Sequence, residues 1–250
     1  MPEFSWRQRV SWRLQAAIVP SLGSSQESFF ETLEQFLTAA PLWLDVGCGR
    51  ELVPRWLHPR RFARVSESVA RAKTIVGLDF DFASLKDNQL ACRIRGDAGA
   101  LPFAEGCFDL VTANMVVEHL EAPVAWLREV GRVLKPGGVF VFHTPNILSP
   151  AIAVCALAPD WIKERVVRLV EGRKEQDVFP TRYRLNTPAR IRNYARRAGF
   201  AVEQLRTVCT SPFTQFLGPL VIPELIMIRL IMTPPLAFAR PDIVAVLKKL

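Results

Sequence analysis

Apolar residues recur along this chain with two periods, and their alternation predicts a layered α/β protein. Ser24-Ser25-Gln26-Glu27 spells a capping box, and Phe29, Phe30, Leu33, Phe36, Leu37 and Ala40 follow at helical spacing up to Pro41. Leu42–Val46 is a short apolar run entering the turn Gly47-Cys48-Gly49, which reads as a buried strand. Further strands are expected over 74–78, closed by Asp79, then at Cys92–Arg95 along an edge, at 108–113 and at 139–142. The helices between them are a short one over 52–57, ahead of an arginine-rich surface excursion that holds His58, one ending over 84–88, and one opened by Pro123. In the last, Val124, Leu127, Val130 and Leu134 share one face, while Arg128, Glu129 and Arg132 share the opposite, solvated one.

After Pro150 the regularity weakens. A helix over 160–170 and a polar stretch to Arg184 read as an insertion that covers substrate. Thr187-Pro188 then caps and opens a helix using Ile191, Tyr194, Ala195 and Ala198, stopped by Gly199. The last strands are Phe200–Val208 and 243–247. Residues 213–238 are strongly apolar, yet broken by Pro219, Pro223, Pro234 and Pro235 and charged at Glu224 and Arg229. A membrane span needs about 20 uninterrupted apolar residues, so this segment reads as lying on a membrane surface, walling an apolar pocket, or packing in a core or dimer face.

The N-terminal stretch reads as a basic helix with Phe4, Trp6, Val10 and Leu14 turned inward and Arg7, Arg9 and Arg13 among them. Its apolar run from Leu14 to Val19 is too short, and lacks the small-residue cleavage pattern, for a secretory leader. The expected organisation is one domain over 1–250: an N-terminal helical region 1–40, a core 41–148, the insertion 149–186, and a C-terminal part 187–250 that completes a doubly wound, mostly parallel, seven-stranded sheet.

With 250 residues, 50% of them hydrophobic and 22% charged, the chain can bury one sizeable core. Its formal net charge of +8 suits an anionic membrane surface, a nucleic acid or an acidic substrate. Cys48, Cys92, Cys107, Cys155 and Cys209 are scattered without a C-x-x-C pair, which argues against a disulfide framework and a zinc site. The expectation is a reducing, cytoplasmic setting without a metal, with peripheral contact at the inner membrane surface as its extension.

Ligands of open parallel sheets bind beyond the carboxyl ends of the strands. Here those ends carry Asp45-Val46-Gly47-Cys48-Gly49, Asp79, Asp97, Asn114 and His143-Thr144-Pro145-Asn146. The glycines let backbone N–H groups approach a ligand, and the Asp79 carboxylate can accept from two vicinal hydroxyls. A dinucleotide-binding G-x-G-x-x-G fails at Leu52, where the third glycine belongs.

Leu44-Asp45-Val46-Gly47-Cys48-Gly49, Val76-Gly77-Leu78-Asp79, Gly96-Asp97-Ala98 with Leu101-Pro102-Phe103 and Phe108-Asp109-Leu110-Val111, and Leu134-Lys135-Pro136-Gly137-Gly138 stand in one order. In these four stretches the chain resembles the class I S-adenosylmethionine-dependent methyltransferases of the small-molecule, quinone-biosynthesis-like branch. The resemblance implies a Rossmann-like fold and S-adenosyl-L-methionine as cofactor. It implies that Gly47, Cys48 and Gly49 pass under the methionine and ribose, with Asp45 reaching the amino group through water and Asp79 holding the ribose diol. Asp97 and the Ala98 N–H would meet the adenine, Phe80 would pack beside it, and Asn114 would approach the transferred methyl. Glu51 stands where the family usually has a third motif glycine.

For the acceptor, His119, in Val117-Glu118-His119-Leu120, and His143 are the candidate bases, against a structural role for each. A small-molecule or lipid-like acceptor, such as a glycolipid or polyprenyl compound, fits the apolar 213–238 segment and the basic surface. Residues 177–187 are similar to a segment of bacterial methyltransferases of uncertain substrate. Two alternatives stand beside this reading. One is a methyltransferase-fold protein that binds a partner or senses the cofactor without turnover, supported by Glu51. The other is an RNA methyltransferase, supported by basic charge but lacking the Asn/Asp-Pro-Pro-aromatic turn after strand four and a Pro-Cys nucleophile.

Overall fold

Seven strands, β1 (Leu42–Val46), β2 (Thr74–Asp79), β3 (Cys92–Arg95), β4 (Phe108–Asn114), β5 (Leu134–Pro145), β6 (Phe200–Val208) and β7 (Asp242–Lys249), form one sheet. They hydrogen-bond in the order β3-β2-β1-β4-β5-β7-β6 in a computed structural model that describes residues 5–37, 41–54, 59–157 and 180–250. β3, β2, β1, β4 and β5 are mutually parallel. The Leu250 N–H donates to the Gly199 carbonyl, and Lys248 pairs with Glu203. Rising numbers on β7 therefore face falling numbers on β6, which makes that pair antiparallel and the sheet mixed.

Parallel strands covered on both faces need near-continuous apolar runs. Leu44 and Val46 of β1 lie in register with Val111 and Ala113 of β4 on one side and Val76 and Leu78 of β2 on the other, all buried. The strand order reverses between β1 and β4, and it is beyond the carboxyl ends at such a topological switch that open α/β sheets hold their ligands.

The helices are α1 (Trp6–Ile18), α2 (Ser25–Glu34), α3 (Pro59–Val69), α4 (Phe82–Asp87), α5 (Pro123–Val133), α6 (Pro150–Leu157), α7 (Pro188–Arg197) and α8 (Ile222–Ile231). Turns of 3₁₀ helix occupy Val117–His119, Gln215–Val221 and Pro234–Ala239. The contacts gather into two compact units. The first comprises the described parts of Met1–Ser25, Asn146–Pro180 and Thr207–Asp242, and the second those of Gln26–Pro145, Thr181–Arg206 and Ile243–Leu250.

In the second unit α7 starts as its sequence dictates, the Thr187 hydroxyl accepting from the Arg190 N–H and Pro188 taking the first turn; Gly199, at φ 84°, follows its end. Three expectations are corrected. α2 ends at Glu34, tightening into 3₁₀ bonds such as Phe36 N–H to Leu33 carbonyl, and Ala40 lies outside the described residues. Leu134 leaves the helix and opens β5, because Pro136 forbids Lys135 a helical backbone. Residues 52–54 are irregular, whereas Pro59–Val69, within the expected excursion, is helical. The helix expected over 160–170, His58 and Phe4 lie outside the described residues.

In the first unit, α1, α8 and the turns at Gln215–Val221 and Pro234–Ala239 surround Val19, Val221, Leu225 and Ile228, with Leu14 and Ile18 alongside. Trp6, expected inward, is exposed instead. The inward residue is Ser11, whose small side chain lets α1 come close enough for its hydroxyl to donate to the Gly218 carbonyl at 3.2 Å. Among the described residues no helix is long and apolar enough to cross a membrane.

Candidate functional site

The turn after β1 is shaped by its glycines. Gly47 stands at φ +71°, and a Cβ there would lie 2.3 Å from Val116 Cγ2, so both backbone and space demand glycine. Its N–H and that of Cys48 both donate to the Leu78 carbonyl of β2, at 2.7 and 3.2 Å. Gly49, at φ +56°, donates its N–H to Asp79 Oδ2 at 2.8 Å, and nothing lies within 4 Å of the place its Cβ would take. Asp79 Oδ1 accepts from the Asp81 N–H at 2.9 Å. Two backbone bonds thus orient this carboxylate, and each oxygen keeps further capacity to accept.

Asn88, the C-cap of α4, is a member of this site that local sequence patterns do not single out. Buried beneath the turn, it donates Nδ2 to the carbonyls of Cys48 and Gly49 at 3.2 and 2.8 Å and accepts from the Leu90 N–H. Its single sequence signal is an asparagine at a helix end.

Asp45 is buried between β2 and β4. It accepts from the Thr112 hydroxyl at 2.5 Å, and that hydroxyl accepts from the Trp43 indole at 2.6 Å. Burial pushes the Asp45 carboxyl up to about 7; the Thr112 bond opposes this and the Asp79 charge adds to it. Burial, with the charges of Asp45 and Asp79, pushes the Cys48 thiol up to about 12.

Asp97 is exposed at the end of β3, accepting from the Gly99 N–H at 2.8 Å, and Ala98 packs on the core. Their loop is held by α5. Glu129 accepts from the Leu101 N–H, and Arg132 donates to the Leu101 and Phe103 carbonyls while pairing with Glu129 at 2.7 Å. Helical spacing puts both on a solvated face; the structure uses them as a clamp. Phe80 is exposed, with the Arg95 guanidinium 5.7 Å above its ring.

At the ends of β4 and β5, Asn114 lies in register with His143. Asn114 Oδ1 is 2.9 Å from His143 Nδ1 and accepts from Gln26, whose own carbonyl accepts from Asn114 Nδ2 at 2.8 Å. The hydrogen bond between Asn114 and His143 Nδ1 ties the imidazole to this amide pair. Gln26, read from the sequence only as part of a capping box, is therefore the second asset that pattern missed. His143 is buried beside Phe29. His119, partly exposed, ends the turn Val117–His119, with Nε2 4.0 Å from Glu118 Oε1. Glu118 is buried, accepts from Thr144, and is pushed upward by that burial, against which both imidazoles act. Asn186 donates to Thr144 Oγ1 and the Pro145 carbonyl.

The structure therefore ties Gly47, Cys48, Gly49 and Asp79 together around the end of β2, holds Asp45 in a separate network with Thr112 and Trp43, and joins Asn114 and His143 with Gln26. Among the described residues no group of three or more His, Cys, Asp or Glu side chains could hold a metal ion.

Residues 44–142 match the sequence profile of a family described as "Methyltransferase domain". The chain is 26% identical to a ubiquinone biosynthesis O-methyltransferase of Nitrosococcus oceani, over 69% of this chain and 68% of that protein. It is 32% identical to a demethylmenaquinone methyltransferase of Staphylococcus saprophyticus, over 45% and 48% of the two chains. It is 31% identical to an uncharacterized methyltransferase of Schizosaccharomyces pombe, over 44% and 41%. The match thus spans about half, or less, of the last two relatives. Among solved structures, an S-adenosylmethionine-dependent methyltransferase from Mesorhizobium loti superposes with a TM-score of 0.53 at 20% identity, over 96% of this chain and 98% of that one.

Proposed function

We propose that the chain is a class I S-adenosylmethionine-dependent methyltransferase, a reading supported by the profile match over residues 44–142 and by its methyltransferase relatives, and that it moves the sulfonium methyl of S-adenosylmethionine to a small-molecule or lipid-like acceptor. The observation that carries the proposal is the open glycine turn latched to the Asp79 carboxylate at the topological switch point. The residues present fit that cofactor. Space is open above Gly49, Asp79 keeps lone pairs for a diol, Asp97 offers an exposed carboxylate to an exocyclic amine, and buried Asp45 offers a second carboxylate to an ammonium. Bound there, the cofactor supplies an electrophilic methyl; the protein aligns the acceptor for in-line displacement and removes its proton.

In this reading Gly47, Cys48 and Gly49 line the methionine and ribose, Ala98 and Phe80 flank the base, and Asn114 is held by Gln26 and His143 near the transferred methyl. His119, with part of its ring in solvent, suits the base, while buried His143 suits the positioning of Asn114. The quinone-related relatives favour an apolar acceptor met at a membrane surface over a nucleic acid. Calorimetric titration with S-adenosylmethionine and S-adenosylhomocysteine, wild type beside Asp79→Ala, tests the reading. Micromolar binding lost in the variant is expected; absence of binding to wild type overturns it.

A further inference from the structure

α8, Ile-Pro-Glu-Leu-Ile-Met-Ile-Arg-Leu-Ile, is apolar around nearly its whole circumference. Leu225, Ile228 and Ile231 are buried within their unit, yet Ile226 is 51% exposed and Leu230 56%. A helix of this kind is ordinarily covered on every side. Its neighbour Gln215–Val221 adds Leu220, 70% exposed, with Phe216 and Leu217. The Glu224 carboxylate is engaged within the unit, accepting from the Phe213 and Thr214 N–H groups and the Thr214 hydroxyl at 2.8, 2.9 and 2.5 Å.

α1 adjoins these elements. Ser11 bonds Gly218, and Arg229 donates to the Ile18 carbonyl at 2.8 Å. At about 100° per residue the face of α1 opposite Ser11 carries Trp6, Arg9 and Arg13, and Trp6 is 58% exposed. Residues 5–24 hold three arginines and no acid. Interleaved tryptophan, arginine and leucine are the chemistry of the bilayer interface, where amphipathic rings sit at headgroup depth and guanidinium groups meet phosphates.

We infer that α1, Gln215–Val221 and α8 form a docking face by which the first unit lies on an anionic phospholipid bilayer, without crossing it. A second copy of this chain fits less well, since it would bring Arg9 and Arg13 of both copies into one contact. The inference deepens the membrane-proximal acceptor reading and rests on it for its purpose.

The test is co-sedimentation of the full chain with vesicles of phosphatidylcholine alone and of equal parts phosphatidylcholine and phosphatidylglycerol. Binding only to the anionic vesicles, weakening as salt rises, is expected. Arg9→Gln and Arg13→Gln should each lower the partition coefficient about fivefold, and Leu220→Ser with Leu230→Ser should abolish sedimentation. All four positions face solvent, and unchanged melting curves separate lost docking from lost folding. No sedimentation of wild type, or a dimer in solution dispersed by the leucine substitutions, overturns the inference. A chain that binds S-adenosylhomocysteine but no vesicles removes the docking face alone; one that binds vesicles but methylates no apolar acceptor removes the acceptor reading alone.

Discussion

The Thr112 hydroxyl donates to Asp45 Oδ1 at 2.5 Å across the β1–β4 pairing. It holds down a carboxyl that burial raises from 3.8 to about 7. Between those values the folded chain keeps a proton that the unfolded chain has released, so folding stability falls as pH rises. The contribution is full below the unfolded value and gone once pH passes about 7, a change on the order of 4 kcal/mol at about 1.4 kcal/mol per unit. Asp45→Asn should remove the slope and be the more stable protein at about pH 8, as denaturant titrations at about pH 5 and 8 would read. Equal slopes in the two proteins would assign the effect elsewhere.

Gly47→Ala adds two separable costs. The left-handed backbone costs about 1–2 kcal/mol, and crowding against Val116 Cγ2 adds roughly 1–3 kcal/mol. In a double-mutant cycle Val116→Ala should return the second share and not the first, which thermal melts of the four proteins would show.

Asn88→Ala strips the carbonyls of Cys48 and Gly49 of their buried donor, at a cost of about 1–3 kcal/mol. Because the same turn carries the Gly49 N–H to Asp79, the affinity for S-adenosylhomocysteine should fall with stability. Asn88→Asp keeps the Leu90 bond and loses both donations, so calorimetry should find it as weak as the alanine variant.

The two histidines are separable by steady-state kinetics once an acceptor is in hand. His119→Gln should lower kcat by about a hundredfold or more with KM for the cofactor unchanged. His143→Gln should raise KM for the cofactor through Asn114 while leaving kcat within a few fold. The reverse pattern would exchange their roles.

Much of the fold was legible because each signal was local. The ends of β1 and β3 follow from strand-like runs closed by Gly47 and Gly96, both ends of α7 follow from Thr187-Pro188 and Gly199, and the carboxylates beside the strand ends came with them. What stayed hidden depends on partners distant in sequence. Nothing near Gln26 announces Asn114, 88 positions later, and Glu129 and Arg132 have the spacing of a solvated helix face until Leu101 and Phe103 arrive beside them. Trp6 was misjudged for a related reason: apolar periodicity favours the largest side chain as the inward one, whereas close approach at Gly218 selected Ser11.

Cys48 makes the glycine turn self-reporting. Its sulfur stands 2.8 Å from where a Cβ on Gly77 would lie, the residue is 4% exposed, and burial pushes its thiol up to about 12. Alkylating and oxidising reagents attack the thiolate, so this sulfur is chemically mute while the turn keeps its folded form. Its labelling rate therefore counts opening events, and a ligand seated above Gly49 should slow that clock in proportion to its occupancy, reading cofactor binding without any turnover.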